Sequence, residues 1–321
     1  MLDASTEIEL VIGEEDTVRP APRSRANSDQ RAISVIIPHY NDLEGLRACI
    51  AGLRRQTVPF DRMEVIVADN NSACGLDAVA AIADGCRVVH APIQGAGPAR
   101  NAGVVASTCD ILAFIDSDCQ PSPQWVKEGM RALRDYDFVG GEVETTARDP
   151  DRPSAVEAWE MVFGFNFKRY ILVEGYTGSG NMFVRRAVFE AVSGFRPGVS
   201  EDMDWSYRAR RAGYRLGYAP NAVVQHLARP EWSDLLHRWR RVIAEHYLLT
   251  REKPFGVVRW LGWTFGMPLS VAPHMVRVLR SNRLPGIRAR AGAAAVLVLH
   301  RLWRMAYMAR VMIAVPAGYG S

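Results

Sequence analysis

Short continuous runs of hydrophobic residues alternate with amphipathic stretches through the first half of the chain. The runs at 33–38 and 65–68 are rich in β-branched residues, which predicts strands covered on both faces. Between them, Leu43, Leu46, Ile50 and Leu53 recur at helical spacing, and Asn41 or Asp42 is placed to cap this helix. The same patterns predict helices over 76–83 and 98–107, and strands at 87–89 and 111–115. Strands that alternate with helices predict a parallel sheet and an α/β fold.

Polar side chains follow the predicted strands at their carboxyl ends. Tyr40 and Asn41 follow the first strand, Asp69 the second, and Asp116 the run at 111–115. In open α/β sheets, ligands bind beyond the carboxyl ends of the strands. We therefore expect these residues to line one cleft.

The run at 111–115 ends in two carboxylates one residue apart, Asp116 and Asp118. Placing two like charges together is costly unless a cation lies nearby. Magnesium or manganese prefers such oxygen ligands, usually together with substrate phosphates and water. A solvated turn after a strand is the alternative that this short segment alone leaves open.

The pattern changes in the second half of the chain. It predicts a strand at 139–143, an aromatic-rich helix over 154–170, and a small-residue loop at 177–181 that leads to a strand at 182–184. A further helix is predicted from Ser200, as its N-cap, to Gly213, with a strand at 216–220 and a strand end at 222–225.

Six segments in this order resemble a family-2 inverting glycosyltransferase with the GT-A fold, over about residues 33–226. They are the segments at 34–41, 67–72, 97–103, 114–118, 180–181 and 201–204. The resemblance implies a Rossmann-like, mostly parallel sheet flanked by helices, in a glycosyltransferase domain at 32–232. A flexible N-terminal arm at 1–31 would precede it, and a helical region at 233–321 would follow.

The resemblance implies a nucleotide-sugar donor, with a UDP-sugar as the first expectation. Its binding residues would be Pro38, Tyr40, Asn41, Asp69, Arg100 and Asp116. Tyr40 would lie against the base, Asp69 would accept from the base or ribose, and Asp116 would face the ribose or sugar. Core packing by Tyr40 and turn capping by Asn41 or Asp69 are alternatives. Arg100 would meet the diphosphate, brace the base site, or form an ordinary salt bridge.

The resemblance also implies residues for metal binding, for catalysis and for the acceptor. Asp118 would hold Mg²⁺ or Mn²⁺ on the diphosphate, and His226 would approach the same metal. Asp202 would be the general base that takes the proton of the acceptor hydroxyl, with Asp204 as the alternative. Gly180, Asn181 and Glu201 would lie on the acceptor side.

Charge is distributed unevenly along the chain. From Arg251 onward there are eleven Lys or Arg and one acidic residue, whereas the preceding 250 residues carry a net charge of −6. The uncharged stretch at 260–276 and the Arg-bearing stretch at 289–315 suggest in-plane or re-entrant attachment to an anionic membrane. A helical appendage that packs on the catalytic domain or forms a dimer is the alternative. Nucleic acid is a less favoured partner because no recognised binding motif is present.

Other features narrow the expected function. The five cysteines include no close pair and no C-x-x-C motif, so neither a zinc site nor a disulfide framework is indicated. This pattern fits a protein exposed to the reducing cytoplasm. We therefore expect the protein at the cytoplasmic face of the cytoplasmic membrane, with a lipid-linked acceptor in envelope or polysaccharide synthesis.

The segment at 237–241 lacks the glutamine of the Gln-x-x-Arg-Trp motif of processive synthases, which favours transfer of one sugar. An inactive sugar-nucleotide-binding or scaffolding protein is one alternative function, and a nucleotidyltransferase is a less favoured one.

Overall fold

A computed structural model describes residues 31–198 and 200–314 of the chain. In these residues eight strands form one sheet in the order β3-β2-β1-β4-β7-β6-β8-β5. The strands are β1 Ile33–His39, β2 Met63–Asp69, β3 Arg87–His90, β4 Ile111–Ile115, β5 Cys119–Pro121, β6 Phe138–Thr146, β7 Asn181–Arg185 and β8 Leu216–Leu227. The predicted arm at 1–31 lies outside the described residues, apart from Arg31.

Helices connect and cover these strands. In chain order they are α1 Leu43–Arg54, α2 Gly75–Ile82, α3 Ala96–Ala106, α4 Trp125–Ala132, α5 Ala155–Phe163, α6 Phe167–Arg169, α7 Arg186–Ala191, α8 Glu201–Arg211, α9 Trp232–Arg251, α10 Gly256–Gly266, α11 Val271–Leu279 and α12 Gly286–Ala314. Asp42 caps α1, because its side chain accepts a hydrogen bond from the Gly45 backbone N–H. Ser200 precedes α8 but makes no side-chain cap bond.

The first four strands form the parallel part of the sheet. β1 pairs in parallel with β2 and β4, and all seven of its residues are buried. Val35 and Ile37 face a core shared with α1 and α4, whereas Ile36 faces a second core with Phe114 and Trp205. The central strand is therefore covered on both faces, which is why its sequence is continuously apolar.

The second half of the sheet is mixed. β7 runs antiparallel to both β4 and β6, while β6 and β8 are parallel. The start of β7 consequently lies at the same edge as the carboxyl end of β4, where Asn181 is opposite Ile115. This arrangement adds the Gly178–Gly180 loop to the cleft edge formed by the parallel strands.

Several element boundaries differ from the sequence-based expectation. The helix predicted over 154–170 ends at Phe163, and Asn166 then caps the short helix α6. The two strand pieces predicted at 216–225 are one strand, β8, with an irregularity in its pairing at Gly141/Glu142. The short strand β5 was not predicted, because three residues that include a proline give no periodic signal.

The C-terminal helices pack against α5, the helix that follows β6. The faces of α5, α9, α11 and α12 meet in a shared core that includes Trp159, Leu235, Val278 and Leu297. The stretch predicted as one uncharged segment at 260–276 is divided between α10, a turn at Pro268–Ser270, and α11. In the part of the chain that the structure describes, no helix is both long and apolar enough to cross a bilayer.

Candidate active site

The ends of β1 and β2 are joined by a buried polar network. His39 Nδ1 lies 2.9 Å from Asp69 Oδ1, and the Ser72 backbone N–H donates to Asp69 Oδ2 at 3.1 Å. Burial by itself would raise the pKa of Asp69, but hydrogen bonds from Ser72 and His39 outweigh it and lower the pKa. Asp69 is only 2% exposed. Asp69 therefore fixes the loop after β2, and its contact with a base or ribose stays a prediction.

Tyr40 and Asn41 follow β1 at the same edge. Asn41 adopts a left-handed conformation with φ 54°, and its Oδ1 accepts from the Ala73 backbone N–H at 2.7 Å. This bond joins the β1 and β2 loops. Tyr40 is 54% exposed and therefore is not packed in the core. Pro38 is buried inside β1, whereas Tyr40 and Asn41 are both exposed.

Arg100 braces two predicted site carboxylates. Its buried guanidinium donates from Nη1 to Glu201 Oε1 at 2.9 Å and from Nη2 to Asp116 Oδ1. Burial alone would lower the pKa of Arg100, but the charges of Asp116 and Glu201 raise it. Arg100 thus links α3, the end of β4 and the first turn of α8. Arg100 is therefore in two salt bridges, and its contact with a diphosphate or its support of the base site stays a prediction.

The small-residue loop before β7 leaves room for Asp116. A Cβ added at Gly180 would overlap Asp116 Oδ2, so any larger residue would displace that carboxylate. The neighbouring Asn181 is fully buried. Its side-chain oxygen accepts a hydrogen bond from Trp125 Nε1, and its side-chain nitrogen donates to the carbonyls of Glu142 and Ala222. The Asn181 side chain therefore makes its hydrogen bonds inside the sheet, and its place on the acceptor side stays a prediction.

Asp118 meets His226 because β5 pairs antiparallel with the end of β8. Cys119 lies opposite His226 in this register, and His226 Nε2 is 3.1 Å from Asp118 Oδ2. Burial alone would raise the pKa of Asp118. The charge and hydrogen bond of His226, with a further contribution from Arg229, outweigh burial and lower the pKa to about 2. The structure therefore brings together the two residues predicted to approach a metal.

This pair is too small to be a complete metal cage. No cluster of three or more His, Cys, Asp or Glu in the described residues is arranged to hold a metal ion. One ionised carboxylate beside one imidazole suits a cation that takes its remaining ligands from substrate phosphates and water. Asp118 and His226 thus fit a Mg²⁺ or Mn²⁺ ion shared with a diphosphate.

Asp202 is the carboxylate best suited to accept a proton. It is half-buried, and burial together with the negative charge of Glu201 raises its pKa to about 7. A general base with a pKa near the working pH is favourable for proton transfer. Asp204, the alternative base, instead pairs with Arg208 Nε at 2.9 Å. The geometry therefore favours Asp202 over Asp204.

Two groups of residues near Asp202 were not singled out from the sequence. The rings of Tyr170 and Tyr176 stack with their centroids 5.2 Å apart. Burial raises the pKa of both hydroxyls, and the charge of Asp202 makes a smaller contribution in the same direction. The aromatic-rich composition around 163–176 was the only sequence signal for this stack. On α9, the pKa of Glu245 is raised to about 7, mainly by burial. The charge of Arg241 lowers this pKa, and the charge of Glu201 raises it. Helix α9 therefore borders the first turn of α8.

Comparison with known proteins identifies the family. The model of glycosyl transferase family 2 matches residues 34–193. Glycosyltransferase AglE of Haloferax volcanii is 35% identical over 219 residues, which is 65% of this chain and 71% of that protein. The chain belongs to glycosyltransferase family 2.

Further similarities agree with this family-2 assignment. Pre-mycofactocin glycosyltransferase of Mycobacterium tuberculosis is 27% identical over 74% of this chain, but over only 51% of its own length. The mannosyltransferase PcManGT from Pyrobaculum calidifontis, solved with GDP-Man and Mn²⁺, superposes with a TM-score of 0.56 at 20% identity. That match covers 89% of this chain and 87% of PcManGT. The GT-A fold and glycosyltransferase activity predicted from the sequence are confirmed, which sets aside the scaffolding and nucleotidyltransferase alternatives.

Proposed function

We propose that this family-2 enzyme transfers one sugar, with inversion, from a nucleoside diphosphate-sugar donor to a hydroxyl of a lipid-linked acceptor. The carrying observation is that one cleft edge holds a metal-suited pair, Asp118 and His226, and a carboxylate with a raised pKa, Asp202. A Mg²⁺ or Mn²⁺ ion, when bound at that pair, would neutralise charge on the departing diphosphate. A UDP-sugar is the first donor to test, and GDP-mannose is the second because PcManGT was solved with it.

In the proposed reaction, the acceptor oxygen attacks the anomeric carbon from the face opposite the diphosphate. A new carbon–oxygen bond forms, the bond from that carbon to the diphosphate breaks, and the nucleoside diphosphate leaves with the bonding electron pair. Asp202 takes the hydroxyl proton during the attack. Arg100 holds Asp116 and Glu201 in place through its two salt bridges.

A donor panel tests the proposal directly. Purified full-length protein is incubated with UDP- and GDP-sugars, Mn²⁺ and a membrane lipid extract, and release of the nucleoside diphosphate is measured. We expect release with one class of donor, its loss with EDTA, and stimulation by the lipid extract. Equal release with and without EDTA would contradict the metal assignment, and indifference to the extract would contradict a lipid-linked acceptor.

We propose that the enzyme acts at the cytoplasmic face of the cytoplasmic membrane, where such an acceptor would lie. Support comes from the basic charge of the C-terminal region and from apolar side chains that are exposed on the surface of its helices. Phe265 and Leu269 are 69% and 79% exposed on α10 and the turn that follows it. Apolar burial and basic charge both favour binding to an anionic bilayer.

Vesicle flotation tests this location. We expect full-length protein to float with phosphatidylglycerol vesicles, and a Phe265→Ser/Leu269→Ser double variant to remain in the bottom fraction. Leu76→Ser, an exposed apolar residue on α2, is the matched control and should float normally. High salt should release the wild-type protein only partly, because apolar burial is not screened. Equal flotation of the double variant would contradict attachment through this surface.

A further inference from the structure

A cavity of about 150 Å³ lies among α9, α10 and α12. Its walls are mainly apolar, with Val242, Ile243, Trp260, Trp263 and Met308 among the residues that line it and Arg304 as a charged side chain at its wall. Trp260 is held in place by a hydrogen bond from its Nε1 to the Met308 carbonyl at 3.1 Å. The cavity is thus built from packed helices rather than from loops.

Arg304 has no anionic partner in the described residues. It forms no ion pair or hydrogen bond there, its Nε is buried without a partner, and its guanidinium stacks 4.1 Å from the Trp239 ring. Burial, and to a smaller extent the charge of Arg301, lowers the pKa of Arg304 to about 9. Among the described residues, Arg301 donates only to Met267 Sδ, at 3.5 Å. Desolvating a charge without a counter-ion is costly, so an anion at this position would be favourable.

Nearby arginines do have carboxylate partners. Arg229 and Arg238 both pair with the buried Glu160, at 3.0 Å and 3.2 Å. Arg301 and Arg304, by contrast, have no carboxylate partner among the described residues, although their Nε atoms are buried. An apolar cavity beside two such cations has the chemistry of a site for an amphiphilic anion.

The cavity is connected to the active site through α9. Arg238, next to Trp239, lies 4.4 Å from the Phe165 ring, and that ring is 5.0 Å from the ring of His226. The same helix carries Glu245 beside the first turn of α8, whereas its Val242 and Ile243 line the cavity. A molecule anchored in the cavity could therefore extend along α9 toward Asp202.

We propose that this cavity binds the lipid phosphate of the acceptor, with the first few carbons of its chain between α9, α10 and α12 and its phosphate at Arg304 and Arg301. The proposal rests on the proposed function, since it supplies the anchoring site for a lipid-linked acceptor. The remainder of a longer chain would lie along the exposed side chains of Trp263 and Phe265 toward the bilayer.

Calorimetric titration of full-length protein tests this site with a short water-soluble probe, octyl phosphate, below its micelle concentration. We expect octyl phosphate to bind at least about 10-fold more tightly than inorganic phosphate or octanol, because it satisfies both the cavity and the arginines. Inorganic phosphate binding as tightly as octyl phosphate would overturn the lipid part of the proposal.

Variants separate the charge from the cavity. Arg304→Gln should weaken octyl phosphate binding about 10-fold, toward the affinity for octanol, as expected for the loss of one charge-assisted contact. Val242→Trp should fill the cavity and weaken binding of both octyl phosphate and octanol. Arg310→Gln, an exposed arginine on the same helix, is the matched control and should leave binding unchanged. Unchanged octyl phosphate affinity in either folded cavity variant would overturn the proposal.

A second titration in the same samples keeps this inference separate from the proposed function. UDP and GDP are titrated with Mn²⁺ into wild-type protein and into each variant. Nucleotide binding without octyl phosphate binding overturns the cavity site and leaves the donor assignment intact. Octyl phosphate binding without nucleotide binding supports the cavity site and contradicts the donor assignment.

Discussion

The Asp202→Asn variant is expected to turn over about 10²-fold or more slowly than the wild-type enzyme while binding donor with near-normal affinity. Asparagine keeps the shape of the side chain but cannot take the proton, and loss of a general base typically has an effect of this size. Asp202 Oδ1 also accepts from the Met203 backbone N–H at 2.7 Å, a bond that the asparagine oxygen can keep. Single-turnover rates and donor dissociation constants measure the two quantities separately.

Asp204→Asn provides the matched control. It removes a carboxylate two residues away that is paired with Arg208, so we expect a modest loss of stability and a rate within a few-fold of the wild type. A large loss of rate in Asp204→Asn, with full activity in Asp202→Asn, would move the base to Asp204.

The raised pKa of Asp202 also predicts a pH dependence. The base must be ionised to accept a proton, so kcat/KM of the free enzyme should rise with pH through a midpoint near 7 and lose that midpoint in Asp202→Asn. In the folded state Asp202 keeps its proton up to about pH 7, whereas in the unfolded chain an aspartate loses its proton at about pH 4. The unfolded state therefore binds fewer protons between about pH 4 and 7, and this group lowers the free energy of unfolding as pH rises through that window. Denaturant titrations at pH 5 and pH 8 should show a smaller fall for Asp202→Asn than for the wild type.

Local patterns in the sequence were sufficient for the first half of the sheet. The apolar runs at β1, β2 and β4 are covered on both faces, so burial alone dictates their composition, and the polar residues that follow them meet at one edge. Asp116 and Asp118 could be located at that edge from the apolar run that precedes them. The roles of individual side chains could not be predicted in this way. Asp69 and Asn181 are polar residues at the correct edge, yet both are used inside the protein.

Long-range pairing accounts for what the sequence could not predict. His226 reaches Asp118 only because β5 pairs with β8, and Arg100 joins Glu201 across 101 positions of the chain. Neither contact has a periodic signal, since each depends on how distant elements are registered. The C-terminal region shows the same limit. Its charge and apolar content suggested a membrane surface, but the burial of Leu297 and Val278 against Trp159 follows from packing alone.

Asp118→Asn is expected to abolish the metal-dependent part of nucleoside diphosphate binding. Asp118 is the carboxylate of the pair with His226, and replacing it by a neutral amide removes the negative charge that a divalent cation needs from the protein. For the wild type, we expect the dissociation constant of UDP or GDP to be much lower with Mn²⁺ than with EDTA. For Asp118→Asn, the two values should be nearly equal.

The control for this variant is Asp110→Asn, which removes one exposed carboxylate just before β4, at the opposite end of the strand. It changes the net charge by the same amount, so a general electrostatic effect on nucleotide binding would appear in both variants. Melting temperatures and circular dichroism check that Asp118→Asn remains folded after losing its contact with His226. A metal-dependent gain in affinity that persists in folded Asp118→Asn would mean that the cation is held elsewhere. Asp116 would then be the next carboxylate to replace, because only its Oδ1 contacts Arg100 and its side chain is 39% exposed.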